Sequence, residues 1–212
     1  MNISINSQLF RDGINKILTV IDRKISRPIL SNCLVNALDG RLELIATNLE
    51  VTSKIIVRAN VDNPGNFCIN TKNLSDILRE LPDEQIEMNI DKDKNVLNLN
   101  CKNISYSLLI TNAEEYPKIN FNNSSESIVL KSKNILSIIN KTSHAISTDE
   151  TRINLNGIYF QQLENKLRAV AIDGHRLALL DFNNFTSENQ ILQDGIIIPK
   201  KGILELKKLA ET

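Results

Sequence analysis

The chain has 212 residues, 42% of them hydrophobic, with 25 basic and 25 acidic residues and a formal net charge of zero. That length makes one large or two modest domains with real cores, and the neutral balance counts against a uniformly basic nucleic-acid binder without saying where the charges sit. The opening MNISINSQLF reads against a signal peptide and no apolar run reaches membrane-spanning length, so a cytoplasmic protein without membrane contact is expected.

In chain order, Ser7 is placed to cap a helix. Phe10, Ile14, Ile17, Leu18 and Ile21 follow at helical spacing, predicting a helix over 7–24. The Asp39-Gly40 turn leads into a strand at Arg41–Ala46. A short helix at Leu74–Leu81 is ended by Pro82. Gln85–Ile90 and Val96–Asn100 form a hairpin pattern, Ser105–Thr111 adds a strand, and Asn120–Ser125 reads as a linker. Ser132 is a second expected cap, ahead of Ile135, Ile138, Ile139 and Ile146. A Glu164-Asn165 turn then precedes a strand at Lys166–Ala171. Asp173-Gly174 reads as a tight turn between strands Arg168–Ile172 and Arg176–Leu180. The last element is a helix at Ile203–Leu209.

These elements repeat. A shift of 125 residues lays Ser7 on Ser132, Ile14-Asn15-Lys16 on Ile139-Asn140-Lys141, and Leu38 on Leu163. A shift of 129 lays FCINTKNLSDIL (67–78) on IIIPKKGILELK (196–207), with the extra residues in the polar loop Asn183–Asp194. Self-similarity of this kind predicts two copies of one unit. The second copy ends at the counterpart of residue 83, so it is expected to lack its last strands.

The charges are sorted by element. The helical stretches 7–24, 72–81, 131–145 and 200–212 carry 13 basic and 6 acidic residues, leaving the remainder net acidic. Either solvated helix faces simply favour lysine, or the helices form one surface facing a polyanion, as phosphate contact through Lys and Arg requires.

AIDGHRLALL (171–180) holds four polar residues between apolar flanks. No GxSxG, HExxH or P-loop pattern occurs, and two histidines leave little for a metal. The cysteines, at 33, 68 and 101, form no CxxC pair, so buried thiols are expected rather than disulfides or zinc. No enzyme, metal or cofactor is therefore expected. His175 and Arg176 beside Leu155, Ile172 and Leu177 suggest instead the rim of a peptide-docking pocket.

Several stretches together resemble the β sliding clamp of bacterial DNA polymerase III. They are Arg27-Pro28-Ile29-Leu30 with Ser31-Asn32, Leu42 to Thr47 with Asn48-Leu49-Glu50, Glu115-Tyr116-Pro117, Leu155-Asn156-Gly157, Asp173-Gly174-His175-Arg176-Leu177-Ala178, and Ile198-Pro199-Lys200-Lys201-Gly202. The likeness runs through the whole chain. It implies an α+β fold of tandem DNA-clamp domains, each with two helices on antiparallel sheets: a first domain at 1–122, an incomplete second at 123–212, and no third.

The family is not enzymatic. Two chains close head-to-tail around duplex DNA and tether the replicative polymerase and clamp-loader subunits through short linear motifs. By position, Leu155, Ile172, Gly174, His175, Arg176 and Leu177 would line the peptide pocket. Lys24, Arg79, Lys141, Lys200 and Lys201 would face DNA. Leu74, Leu78 and Tyr106 would lie at the ring contact. Ile172 stands where the family usually has a small hydroxyl residue, implying a greasier wall, and Asp149-Glu150 would repel phosphate. Without a third domain the chain is expected to be monomeric or weakly associated, with weakened peptide capture. The rival expectation is a shortened stand-alone peptide adaptor that never encircles DNA.

Overall fold

The computed structural model describes residues 1–21, 27–91, 93–119, 121, 128–149, 151–183, 185 and 192–211. The chain divides into two units, Met1–Ile119 and Asn120–Thr212. The first runs β1 (Asn2–Asn6), α1 (Ser7–Leu18), β2 (Asn32–Leu38), β3 (Arg41–Thr47), β4 (Thr52–Arg58), β5 (Asn60–Val61), β6 (Gly65–Asn70), α2 (Thr71–Glu80), β7 (Gln85–Asp91), β8 (Val96–Cys101) and β9 (Ile104–Thr111). The second runs α3 (Ser132–Thr142), β10 (Gly157–Leu163), β11 (Lys166–Ile172), β12 (Leu177–Asn183), β13 (Ile196–Pro199) and α4 (Lys200–Glu211). The fold is α+β, and every described strand pairing is antiparallel.

The repeat is written into the registers. The first unit's sheet begins β4-β3-β2-β6 and the second unit's is β12-β11-β10-β13. Pairs Leu38↔Arg41 and Val35↔Leu44 reappear 125 residues on as Leu163↔Lys166 and Phe160↔Ala169. Arg41↔Arg58 reappears as Lys166↔Asn183. Cys33↔Ile69 reappears as Ile158↔Ile198, its second member shifted by 129, so the four extra residues fall between β12 and β13. A one-residue slip would turn each strand's apolar set to the other face, so this agreement requires the same core face in both units. The helices match too: α1 packs on β3 and β4 and α2 on β2 and β6, as α3 does on β11 and β12 and α4 on β10 and β13.

In the first unit β6 continues through Cys68↔Thr111 and Ile69↔Ile110 into β9, then β8, β7, β1 and β5. β9 meets β6 only at those two pairs, so its Ile104–Leu109 stretch has a neighbour on the β8 side alone among the described residues. Cys33, Cys68 and Cys101 are all buried free thiols. Burial pushes the Cys33 and Cys68 thiols up to about 12, so both stay protonated and unreactive.

Both expected serine caps are corrected. Asn6, not Ser7, caps α1: its side-chain oxygen accepts from the Gln8 and Leu9 amides at 3.0 and 3.2 Å. Ser7, one residue inside the helix and buried, donates to the Pro82 carbonyl at 2.7 Å and accepts from the Glu84 amide at 3.1 Å, tying α1 to the segment after α2. Ser132 is likewise already helical, and the cap residue Lys131 makes no side-chain cap bond.

Leu74 and Leu78, expected at a ring contact, are 1% and 0% exposed in the first unit's core. They face inward at i and i+4, so neither can reach a partner. Leu78→Ala is expected to lower stability by about 2–5 kcal/mol, read in urea unfolding, rather than to change association.

Candidate functional site

In the second unit Ile158, Phe160, Leu167, Ala169, Ala171 and Ala178 face α3 and α4 in one core. Strand alternation turns their neighbours to the other face of the sheet. Cross-strand pairing lines up Ile197, Tyr159, Val170 and Leu179 in one row there, and Ile172 with Leu177 in the next. On this outer face lies a cavity of about 330 Å³ lined by Asn154, Leu155, Gly157, Tyr159, Val170, Ile172 and Ile197. Its walls carry no charged side chain, and its size suits an apolar group of a ligand. Gly157 admits β13 at one wall, since a Cβ there would run into the Ile198 carbonyl.

The expected two-residue turn is a four-residue connection, Asp173 to Arg176, closed by the pair Ile172↔Leu177. Arg176 therefore sits in the loop rather than in β12. The Asp173 carboxylate accepts from the His175 and Arg176 amides, each at 2.9 Å, and from Arg176 Nε at 2.9 Å. These bonds to the charged form hold its pKa well below the usual carboxylate range. Gly174 adopts φ +93°, and a Cβ there would lie 3.1 Å from Arg152 Nη1, so glycine serves the turn.

Beside the loop is a second, polar concavity of about 260 Å³, lined by Ile146, Ser147, Thr148, Asp149, Arg152, Asp173, His175 and Arg176. Asp149 accepts from Thr151 Oγ1 at 2.6 Å and its amide at 3.0 Å, and pairs with Arg152 at 3.3 Å. Its charge is thus compensated; Glu150 lies outside the described residues.

The lowered Asp173 pKa has a definite sign. Its contribution to the loop is complete above the unfolded carboxyl value of about 3.9 and is lost as pH falls through the lower folded value. In an NMR titration the Asp173 carboxyl should show no protonation midpoint between pH 7 and about 4. A midpoint for the Asp173 carboxyl at or above about 4 would contradict the bonding described.

On the helices basic residues outnumber acidic ones. In the second unit α3 and α4 carry Lys133, Lys141, Lys200, Lys201, Lys207 and Lys208 against Glu205 and Glu211. In the first unit α1 and α2 carry Arg11, Lys16, Lys72 and Arg79 against Asp12, Asp76 and Glu80. Arg11 is committed inward, donating to the Leu78 and Leu81 carbonyls at 2.8 and 2.7 Å. Arg79 is exposed, 3.8 Å from Asp76. The positive excess therefore belongs mainly to the second unit's helices. Lys141 and Lys200 are exposed and Lys201 half-buried. Lys24 lies outside the described residues.

Of the residues expected at the pocket, the structure brings Leu155 and Ile172 to the apolar cavity and His175 and Arg176 to the polar one. Gly174 and Leu177 line neither; Leu177, 57% exposed, lies on the open face beside them. Tyr159, Val170 and Ile197 were missed. The signal was available: the repeat fixes the register, and the register puts these three in the row next to Ile172. No described helix is long and apolar enough to cross a membrane, and no cluster of potential metal ligands occurs among the described residues.

The family description "DNA polymerase III beta subunit, N-terminal domain" matches residues 1–120, and "DNA polymerase III beta subunit, central domain" matches 129–212. The chain is similar to the beta sliding clamp of Caulobacter vibrioides, 32% identical over all of this chain and 58% of the relative. It is also similar to that of Haemophilus influenzae, 30% identical over 100% and 57%. Among solved structures, the DNA polymerase sliding clamp from Caulobacter crescentus superposes with a TM-score of 0.91 at 32% identity, covering 100% of this chain and 58% of that one. The DNA polymerase III subunit beta from Pseudomonas aeruginosa gives 0.89 at 26%, covering 100% and 57%. The chain thus spans a little over half the length of the relatives it matches. With both domain descriptions laid end to end along it, the chain belongs to the DNA polymerase III β subunit family.

Proposed function

We propose that these residues form the first and second domains, meeting near 122 and 123, of a sliding clamp: a non-enzymatic, cytoplasmic processivity factor whose full-length form encircles duplex DNA as a homodimer ring. The observation that carries this reading is the two-sidedness of the second unit. Its lysine-rich helices and its apolar cavity occupy opposite faces of one sheet. Phosphate contact on one face and peptide capture on the other therefore do not compete for surface.

Lys141, Lys200, Lys201 and Arg79 are the proposed DNA contacts. They need no base readout, because phosphate neutralisation is sequence-independent. Lys200 and Lys201 occupy the first turn of α4, where the helix dipole favours acids and disfavours cations. Lys200, exposed at the first residue of α4, runs against the dipole, which supports a role toward an anion. Leu155 and Ile172, with His175 and Arg176 at the polar rim, are the proposed peptide contacts for replicative polymerase and clamp-loader subunits. Tyr106 on β9, half-buried beside the open strand edge, is the proposed ring-contact residue; Leu109, 80% exposed on the same strand, offers further apolar surface.

Duplex-DNA affinity measured across a salt series tests the reading. Binding that weakens steeply as salt rises supports it. Peptide binding with no DNA affinity at low salt would favour a stand-alone adaptor.

A further inference from the structure

We infer that Tyr159 is a specificity-determining residue of the outer-face cavity, held in place by the chain segment that leads into β13. The inference rests on the reading that this cavity takes a peptide side chain. Tyr159 closes the end of the cavity away from the Asp173–Arg176 loop, between its cross-strand neighbours Val170 and Ile197. Its hydroxyl donates to the Asp194 carbonyl at 3.2 Å. With the hydroxyl so engaged, the ring offers the cavity an apolar wall rather than a polar group.

The segment that fixes the ring is itself strapped down. The Gln162 amide donates to the Leu192 carbonyl at 2.8 Å, Gln161 Nε2 donates to the Gln193 carbonyl at 3.2 Å, and the Gly195 amide donates to the Leu192 carbonyl at 3.2 Å. Leu192 is buried in the second unit's core. Gly195 follows at φ +74°, and a Cβ there would overlap the Tyr159 ring around its hydroxyl. Glycine is thus required twice over: by the left-handed backbone and by the ring pressed against it. The residue at 195 sets where the ring stands, and the ring sets the cavity's length. The side chain admitted is uncharged, since no lining residue offers a counter-charge, and its reach is limited by the ring at that end.

Fluorescence anisotropy with a fluorescein-labelled decapeptide, whose only apolar residue is a leucine, provides the test. A second peptide replaces the leucine with tryptophan. Tyr159→Phe keeps the wall and should bind within about threefold of wild type. Tyr159→Ala opens the cavity and should move the preference from leucine toward tryptophan by about tenfold. Gly195→Ala should displace the ring and weaken the leucine peptide about tenfold. In a Tyr159→Ala background the same glycine change should have less than about a twofold effect, because no ring remains to be moved.

An equal penalty for Gly195→Ala in both backgrounds, or an unchanged leucine-to-tryptophan preference in Tyr159→Ala, overturns the inference alone. A wild-type chain that binds neither peptide overturns the pocket reading and the inference with it. Tyr159→Phe and Tyr159→Ala give up the hydroxyl's bond to the Asp194 carbonyl but keep Gly195 and its left-handed backbone, so they decide the matter even if Gly195→Ala fails to fold.

Discussion

Ile172→Asp is expected to weaken capture of a peptide from a clamp-binding polymerase at least about tenfold. Ile172 is 36% exposed and shares the cavity wall with Leu155. Fully covering an isoleucine side chain contributes about 1.5–3 kcal/mol, of which about a third, on the order of 0.5–1 kcal/mol, remains to be gained at this exposure. An aspartate in its place loses that term, and its carboxylate must be desolvated with no partner, costing about 1–3 kcal/mol more. The sum exceeds the ~1.4 kcal/mol of a tenfold change. Leu177→Asp is the control. It alters the same cross-strand pair but lines neither cavity, so calorimetry should show a loss of less than about threefold. Equal losses from the two variants would mean that the peptide lies across the open face of β12 rather than in the cavity.

The double change Lys200→Glu, Lys201→Glu is expected to lower duplex-DNA affinity by about ten- to a hundredfold at low salt. It should also reduce the slope of log affinity against log salt by about 2, since each phosphate contact contributes about 0.9. Acids in the first turn of α4 suit the helix dipole, while an acid at 201 faces Glu205 four residues on, so the two effects offset and thermal unfolding should stay within about 1 kcal/mol of wild type. Lost DNA binding could then not be attributed to unfolding. Lys166→Glu is the matched control on the other face of the same sheet. There the Asp181 carboxylate holds both Arg168, at 2.7 and 2.8 Å, and Lys166, at 2.8 Å. It should alter DNA affinity only through bulk charge. A loss as large as that of the α4 variant would remove the lysine-rich helices from the account.

Legibility followed periodicity. The repeat could be read because two shifts, 125 and 129, preserve alternation and helical spacing at once, and the strand registers obey both. Caps were misread because Asn6 and Ser7 both suit a cap, and only backbone geometry decides which residue turns first. Leu74 and Leu78 were placed at a surface by position alone, although their i, i+4 spacing on an amphipathic helix points inward. Asp173-Gly174 matched a two-residue turn in composition, but the carboxylate spans two further amides and stretches the loop to four residues. Tyr159, Val170 and Ile197 escaped because each is an ordinary strand residue alone. Only pairing across β10, β11 and β13 makes them a wall.

A nuclear magnetic resonance map of the second unit's signals, taken once with a clamp-binding peptide and once with duplex DNA, bears most directly on the two-faced reading. Peptide should shift Leu155, Tyr159, Val170, Ile172 and Ile197 and leave α3 and α4 in place, while DNA should shift Lys141, Lys200 and Lys201 and spare the cavity. Peptide shifts centred on the helices, or DNA shifts centred on the cavity wall, would contradict it.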